Sequence, residues 1–298
     1  MAGRKQGKKE LFWGWVFFAP TLLGLLILNI IPIFQTIYKS FFQTGAFGRG
    51  DRFVGFANYV QMFSDSQVWQ SLLNTFVYAI IEVPISIAIS LVLAALLNRK
   101  MKGRSIYRTI YFLPMVAAPA AVAMVWRWLY NSEFGLLNHM LKSIGLGPVN
   151  WISNPDIALI SVAIVGIWSV IGYNMVLFLA GLQEIPGDYY EAAEIDGAGR
   201  IRKMVNITLP SISTTIVTML ILRLGKVMNV GYEKIILLYN PVIYDTSDVI
   251  SSYVYRMGFD NQNWSYSAAV GLFNSVINLI LLFTTNTISK RLSDASLW

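Results

Sequence analysis

The 298-residue sequence contains no cysteine and a single histidine. Without cysteine the chain cannot form a disulfide framework, a thiolate zinc site or a cysteine nucleophile, and one histidine cannot build a histidine-based metal cluster. The sequence also lacks a GxxxxGK[ST] phosphate-binding loop and a Gly-x-Ser-x-Gly nucleophile elbow. These absences predict a chain with no catalytic residues, no metal site and no cofactor of its own.

Charged residues are scarce as well: they make up 13% of the chain, whereas soluble domains carry about a quarter. Hydrophobic residues reach 55%, aromatic residues 14%, and the mean hydropathy is +0.55. Amphipathic aromatic rings collect at the two membrane–water interfaces. The composition therefore predicts an all-α integral membrane protein.

Apolar runs of about 20 residues, the length that crosses a bilayer, recur six times. The first run is too long for the core of a signal peptide and precedes no clear cleavage site, so we expect it to be retained. The fifth run is interrupted by Arg223 and Lys226. The predicted spans are Leu11–Tyr38, Trp69–Leu97, Ile106–Tyr130, Asp156–Leu182, Leu209–Met228 and Trp264–Ser289.

The net charge of +7 arises from Lys and Arg residues that are concentrated in alternate loops. The basic set comprises the N-terminal tail, the second–third loop, the fourth–fifth loop and the C-terminal tail. The positive-inside rule places these segments, and so both termini, on the cytoplasmic side of a multi-pass protein in contact with membrane lipids. The positive charge is then a topology feature and predicts no nucleic-acid partner, which would need a basic, aromatic-containing soluble face.

The loop between the fourth and fifth spans has the sequence EAAEIDGAGRIRKMVNITLP, residues 191–210. Glu191 and Glu194 place negative charge near the start of a helical stretch, where the helix dipole favours it. Gly197 and Gly199 permit a sharp break, and Pro210 suits the first turn of the next span. The pattern predicts a short helix, a turn and a second short helix, although a plain solvated loop also fits these residues.

This loop resembles the EAA loop of ABC importer permeases, whose pattern is Glu-Ala-Ala, three residues, Gly, nine residues, Ile, one residue and Leu-Pro. Seven residues match at that spacing, while Met204 stands where the family often has Phe. In the family this loop is the coupling helix, which docks in a cleft of the ATP-binding subunit. The resemblance implies an ATPase-coupling role for Glu191, Ala192, Ala193, Gly197, Ile207, Leu209 and Pro210.

Other stretches resemble sugar permeases of the maltose-transporter type, namely Val54–Tyr59, Asn74–Pro84 and Leu97–Asn138, while Gly225–Pro241 is similar to permeases for polysaccharides or complex oligosaccharides. The resemblance implies the ABC type I importer permease fold and import of an oligosaccharide or polysaccharide across the bacterial inner membrane. It also implies the partners: a second homologous permease subunit, two ATP-binding subunits that use ATP and Mg, and an extracytoplasmic sugar-binding protein.

Two regions are expected within that fold. Residues 1–68 would supply the N-terminal tail, the first span and an extracytoplasmic loop. Residues 69–298 would form the permease core of five spans, with the coupling loop at 183–210.

Two ionisable residues, Glu82 in the second span and Arg223 in the fifth, are predicted at similar depth near the middle of the membrane. Ionisable groups inside a bilayer are costly and commonly functional. The pair is therefore a candidate for the translocation path, and an ion pair that only stabilises helix packing is the alternative.

A second candidate cluster follows the fifth span. Spacings of three and four place Lys226, Asn229 and Glu233 on one helical face, with Tyr232 beside it. Planar polar groups and an aromatic ring suit a saccharide, and in the maltose-type family the corresponding segment contributes to the substrate site. An anchor cluster at the membrane interface fits the same residues.

Two other functions would also place many apolar spans in one chain. An ion-coupled secondary transporter would also have many spans, but the two halves of the sequence show no clear repeat and the coupling loop would be unexplained. An integral-membrane enzyme would need clustered His, Cys or carboxylate residues, which the sequence does not provide.

Overall fold

The computed structural model describes residues 3–43, 50–99, 101–226, 228, 232–239 and 241–293. Four helical segments in these ranges are long and apolar enough to cross a membrane, and two bent helix pairs raise the number to as many as six. The all-α membrane fold and the six apolar segments therefore agree with the sequence. The unbroken segments are Lys9–Ser40, Ser66–Leu97, Ala158–Gln183 and Trp264–Lys290.

The chain divides into two compact units, residues 1–65 with 254–273 and residues 66–253 with 274–298. In the first unit, α1 (Gly3–Leu25) and α2 (Ile31–Ser40) are joined by a π-helical turn, Leu26–Ile30. A two-stranded antiparallel sheet pairs β1 (Phe42–Gln43) with β2 (Arg52–Phe53) and precedes α3 (Ala57–Ser64). The buried Asn58 amide holds these pieces together by donating to the carbonyl oxygens of Ser40 and Phe42, at 2.8 and 2.9 Å.

The second unit is built on α4 (Ser66–Leu97) and α8 (Ala158–Gln183), which pack along each other. Small residues allow this approach: a Cβ added to Gly166 would clash with the hydroxyl of Tyr78. Ser90 adds an interhelical hydrogen bond to the carbonyl oxygen of Ile171, at 3.0 Å. A small residue at the contact and an interhelical hydrogen bond are both typical of helix packing in membranes, where burying apolar surface contributes little to helix association.

The third predicted span, Ile106–Tyr130, is not a single helix. It consists of α5 (Arg104–Val116) and α6 (Pro119–Leu129), which meet at 101°. The break has a local cause, because the residue before a proline is driven from the helical to the extended region. Ala118 precedes Pro119 and has φ −58° and ψ 134°.

The fifth predicted span, Leu209–Met228, is also broken. The segment Arg200–Ser211 meets α12 (Ser213–Leu224) at 60°, and Ile212 at the junction has φ −101° and ψ 9°. The helix ends at Leu224, four residues before the predicted end. Asn278 of α16 (Trp264–Ser293) donates to the carbonyl oxygen of Gly225 at 2.8 Å and so satisfies one of the groups freed there.

The remaining elements are short helices in the connections. They are α7 (Leu136–Ser143), α9 (Gly187–Ile195), α10 (Arg200–Lys203), the π-helical turn Met204–Thr208, α11 (Leu209–Ser211), α13 (Tyr232–Leu238), the 3₁₀ turn Pro241–Ile243, α14 (Tyr244–Ser247), α15 (Ile250–Tyr255) and the π-helical turn Arg256–Asp260. Of these, α9, α10 and the turn that follows carry the loop for which the sequence predicts an ATPase-coupling role.

Candidate functional site

The loop between the fourth and fifth spans folds as a helix, a left-handed turn and a second helix. Helix α9 ends at Ile195, and the chain then turns at Gly197, whose φ is +72°. The amide of Ala198 donates to the carbonyl oxygen of Ala193 at 2.8 Å, and the amide of Gly197 donates to that of Glu194 at 3.0 Å. This pair of bonds is a Schellman motif, in which the left-handed residue is normally glycine. The geometry explains why a glycine stands at this point of the loop.

An ion pair joins the two helices across the turn. Lys203 Nζ donates to Glu194 Oε1 at 2.5 Å, and this bond lowers the pKa of the Glu194 carboxyl. Because the pKa of this carboxyl is lower in the folded protein than in the unfolded chain, its ionised form stabilises the fold at any pH above the ordinary pKa. That stabilisation is lost as the pH falls through the lowered pKa. Because the side chain of Glu194 is 72% exposed, solvent screens the pair and its contribution is small.

The seven residues of the predicted coupling pattern lie in two parts of this loop. Glu191, Ala192 and Ala193 are in α9, with Gly197 at the turn, whereas the half-buried Ile207 lies in the π-helical turn and Leu209 and Pro210 begin α11. The hydroxyl groups of Tyr190 and Thr208 hydrogen-bond at 3.0 Å and tie the first part to the second. The pattern therefore describes one folded element.

Sequence reasoning missed two apolar side chains on this loop. Ile195 and Ile201 flank the turn and are 88% and 81% exposed. Moving an isoleucine side chain out of water lowers the free energy. Both side chains here remain in contact with solvent. Two isoleucines, each two residues from a glycine in a loop rich in charged residues, were the sequence feature that could have identified them.

Inside the second unit, Glu82 and Arg223, which the sequence places at similar depth, form an ion pair. Arg223 Nη2 donates to Glu82 Oε1 at 3.0 Å, and the Glu82 side chain is 1% exposed. Within the described part of the chain, Glu82 Oε2, Arg223 Nε and Tyr78 Oη are buried without a hydrogen-bond partner. The pair joins α4 to α12 and leaves polar groups beside it unsatisfied.

Lys234 and Tyr78 belong to the same neighbourhood and were not singled out from the sequence. Lys234 of α13 is close enough to interact electrostatically with Glu82 and Arg223. Its neighbour Ile235 packs in the core cluster that contains Tyr78. Tyr78 could have been found, because it lies four residues before Glu82 and so on the same helical face. Lys234 could not, since only the tertiary fold brings it to α4.

The second candidate cluster does not lie on one helical face. Helix α12 ends at Leu224, Lys226 lies in the turn beyond it, and α13 begins at Tyr232, so Lys226 and Glu233 are on no common helix. The single-face prediction is wrong, because α12 ends at Leu224 and Lys226 follows it in a turn. Glu233 is exposed, and Asn229 lies outside the described residues.

Comparison with known proteins gives consistent matches over most of the chain. A family model described as “Binding-protein-dependent transport system inner membrane component” matches residues 65–294. The chain is 33% identical over 271 residues to “Probable ABC transporter permease protein YurN” of Bacillus subtilis, with 90% of this chain and 92% of that protein covered. It is 34% identical over 215 residues to “Trehalose/maltose transport system permease protein MalF” of Thermococcus litoralis, with 72% and 73% covered.

A solved structure gives a closely similar fold. A chain from the crystal structure of a bacterial alginate ABC transporter, in complex with an alginate pentasaccharide-bound periplasmic protein, superposes with a TM-score of 0.88 at 29% identity. The match covers 98% of this chain and 99% of that one. The bent third and fifth segments therefore belong to a fold that agrees with a crystallographic one over nearly its whole length.

Proposed function

Because the chain belongs to the family of inner-membrane components of binding-protein-dependent transport systems, we propose that it is the permease subunit through which an ATP-driven importer moves an oligosaccharide or polysaccharide across the cytoplasmic membrane. Membership of this family overturns the alternative of an ion-coupled secondary transporter. It also gives the chain the role of a transport subunit, with ATP hydrolysis on a separate protein.

The observation that carries the proposal is the folded loop around Gly197. Its Schellman turn presents Ile195 and Ile201 to solvent, where no part of this chain described by the structure covers them. An ATP-binding subunit that received α9 and α10 in a cleft would bury both side chains. Nucleotide-driven movement of that subunit, with its ATP and Mg, would then reach the membrane through α11 and α12.

The substrate class rests on the relatives. The transporter whose structure matches carries alginate with its periplasmic protein, and the archaeal relative is named for trehalose and maltose. A saccharide of more than one residue is the class that these names share. We assign such a substrate to this chain, delivered by an extracytoplasmic sugar-binding protein.

Assembly follows from the same comparison. The translocation path would lie between this subunit and a second homologous permease, above two ATP-binding subunits. Residues 69–298 would form the permease core, preceded by the first span and its loop in residues 1–68. Both termini would face the cytoplasm.

Within the core, we assign Glu82 and Arg223 to the wall of the path, with Lys226, Tyr232 and Glu233 near its outer end and Asn229 as a further candidate. The support is the buried ion pair with its unsatisfied neighbours, because polar groups inside a membrane protein commonly mark a substrate route. The alternative is a lock between helices, which the double-variant experiment described in the Discussion distinguishes.

Reconstitution tests the function directly. The permease, its second permease subunit, the ATP-binding subunits and the binding protein are placed in proteoliposomes, and uptake of labelled alginate-type and maltose-type oligosaccharides is measured. We expect uptake of at least one saccharide when ATP is supplied on the side of the membrane that the ATP-binding subunits face. No uptake is expected when ATP, the ATP-binding subunits or the binding protein is omitted. Uptake by the permease chain alone, driven by an ion gradient, would contradict the proposal.

A further inference from the structure

Two arginines at the start of the third segment converge on one glutamine. Arg104 and Arg108 lie four residues apart on the same face of α5, and Gln183 is the last residue of α8. With the amide oriented as the hydrogen-bond network requires, the Gln183 oxygen accepts from Arg104 Nη2 at 2.7 Å and from Arg108 Nη2 at 3.1 Å. One neutral oxygen thus holds two guanidinium groups side by side.

The two positive charges have no counterion among the residues that the structure describes. Among the described residues, neither guanidinium forms an ion pair, and the Nε atoms of both arginines are buried without a hydrogen-bond partner. Like charges four residues apart on a helix destabilise it. Paired guanidinium groups bind phosphate and carboxylate oxygens by two parallel hydrogen bonds. The arrangement is suited to an anion with several oxygens.

The surroundings of the pair are those of a membrane interface. Arg104 begins the bent segment Arg104–Leu129 on the side that the Lys and Arg distribution assigns to the cytoplasm. Two isoleucines of the same helix, Ile106 and Ile110, are exposed, at 65% and 57%. A ligand at the arginines therefore has a polar side and an apolar side available to it.

An apolar groove begins two residues beyond the pair. Its volume is about 610 Å³, and Ile110 and Tyr111 of α5 lie at its wall together with Leu93, Val125 and Ile171 of neighbouring helices. The bend between α5 and α6 opens this groove, since Pro114, Ala117 and Ala121 line it on either side of the break. A chain of methylene groups fits such a surface, because it would remove apolar area from water or from loosely packed lipid.

We propose that Arg104, Arg108 and Gln183 form a binding site for an anionic phospholipid, whose phosphate contacts the two guanidinium groups and whose acyl chain lies in the groove between α5 and α6. Charge complementarity selects the headgroup, and the adjoining apolar groove selects a lipid over a free phosphate. Basic pockets between membrane helices on the cytoplasmic side bind anionic headgroups by this chemistry. The site is separate from the loop around Gly197 and from the Glu82–Arg223 pair.

Native mass spectrometry of the assembled transporter in detergent tests the site. Phosphatidylglycerol or phosphatidylcholine is titrated at high ionic strength, which screens exposed charges more than partly buried ones. We expect Arg104→Gln with Arg108→Gln to weaken phosphatidylglycerol retention about tenfold, through the loss of charge-assisted hydrogen bonds. Retention of phosphatidylcholine should be unchanged. The double Lys variant, Arg104→Lys with Arg108→Lys, should fall between wild type and the Gln pair.

A matched control is Arg99→Gln with Lys102→Gln, which removes the same charge from exposed side chains of the same loop. We expect this control, and competition by inorganic phosphate or glycerol phosphate, to leave phosphatidylglycerol retention within about twofold of wild type. Equal retention by wild type and the Gln pair would overturn the site. Displacement of the lipid by inorganic phosphate would show that the arginines bind anions in general. Loss of the lipid when the ATP-binding subunits assemble would assign the arginines to carboxylates of that partner. Either result overturns the lipid assignment.

Discussion

The backbone of Gly197 has a φ of +72°, a conformation that costs an L residue about 1–2 kcal/mol. This conformation closes the Schellman turn, which sets the angle between α9 and α10. Two residues further on, Gly199 has φ −70° and ψ 170°, a conformation that other residues adopt freely. Only Gly197 therefore has a backbone conformation that favours glycine. A Cβ added at either position would meet no atom within 4 Å.

We predict that Gly197→Ala lowers substrate-stimulated ATPase activity of the reconstituted transporter severalfold, whereas Gly199→Ala stays near wild type. The left-handed turn would be strained by about 1 kcal/mol or would change its angle, and the loop would fit its partner less well. Membrane insertion should persist in both variants, because the loop lies outside the bilayer. Equal activity of the two variants would show that the turn geometry does not matter for coupling.

The Glu82–Arg223 pair supports a second residue-scale prediction. Removing one partner of a buried ion pair leaves the other uncompensated, at about 3–5 kcal/mol. Glu82→Gln and Arg223→Gln should each reduce the yield of assembled transporter or its uptake rate, and the double variant should recover part of the loss. Size-exclusion yield and transport are measured together.

The control for this cycle is Lys142→Gln, at an exposed position on α7. It should leave yield and uptake unchanged. Additive losses in the double variant would mean that the two residues act separately. Full recovery of yield without recovery of uptake would mean that the pair has a transport role beyond helix packing.

At the scale of elements, α9 and α10 form a helix–turn–helix unit on which two isoleucines, Ile195 and Ile201, are highly exposed. Burying one isoleucine contributes about 1.5–3 kcal/mol. An isolated charged loop would gain nothing from presenting such residues, whereas a docking element would. The exposed ion pair between Glu194 and Lys203 joins the two helices across the turn.

We predict that Ile195→Ser and Ile201→Ser each weaken binding of the ATP-binding subunit about tenfold, measured as the dissociation constant with the permease complex immobilised in nanodiscs. Ile144→Ser provides the control, because Ile144 is also highly exposed, at 71%, but lies beyond α7 on the opposite predicted side. Unchanged affinity in the first two variants would show that the ATP-binding subunit does not dock on α9 and α10.

The bent third segment shows what proline does at this scale. Pro119 forces Ala118 into an extended conformation, and α6 then leaves α5 at 101°. The bend opens the apolar groove for which we propose a lipid, so one proline shapes both the path of the helix and the surface beside it. Hydropathy does not register such a bend, since both halves of the segment are apolar.

At the scale of the whole molecule, orientation can be tested because the chain has no cysteine. Single cysteines at exposed positions will react with a membrane-impermeant maleimide without background. We predict labelling of Asp51→Cys and Lys142→Cys in intact cells, and labelling of Lys102→Cys and Asp196→Cys only after permeabilisation. Reaction of Asp196→Cys in sealed cells would place the loop around Gly197 on the outer side and contradict the proposed ATPase contact.

The sequence by itself determined the class of the molecule. Its apolar runs, its basic alternate loops and the spacing of Glu191, Gly197 and Pro210 are properties of composition and interval, which need no coordinates. For the same reason it predicted an ATPase-coupling role for this loop, through its resemblance to the EAA loop of ABC importer permeases. The comparisons confirm the family, the importer class and the membrane location that these features predicted.

Only the tertiary structure decided which distant residues meet. Arg223 reaches Glu82 across 141 positions, Lys234 joins them from another helix, and Gln183 gathers Arg104 and Arg108. Similar depth could suggest the first contact, but rotation of each helix about its axis settles it, and that rotation depends on side-chain packing. The break between α5 and α6 was likewise decided by the backbone torsions of Ala118, which hydropathy does not encode. Helix α12 ended at Leu224, and so the predicted shared face of Lys226 and Glu233 did not form.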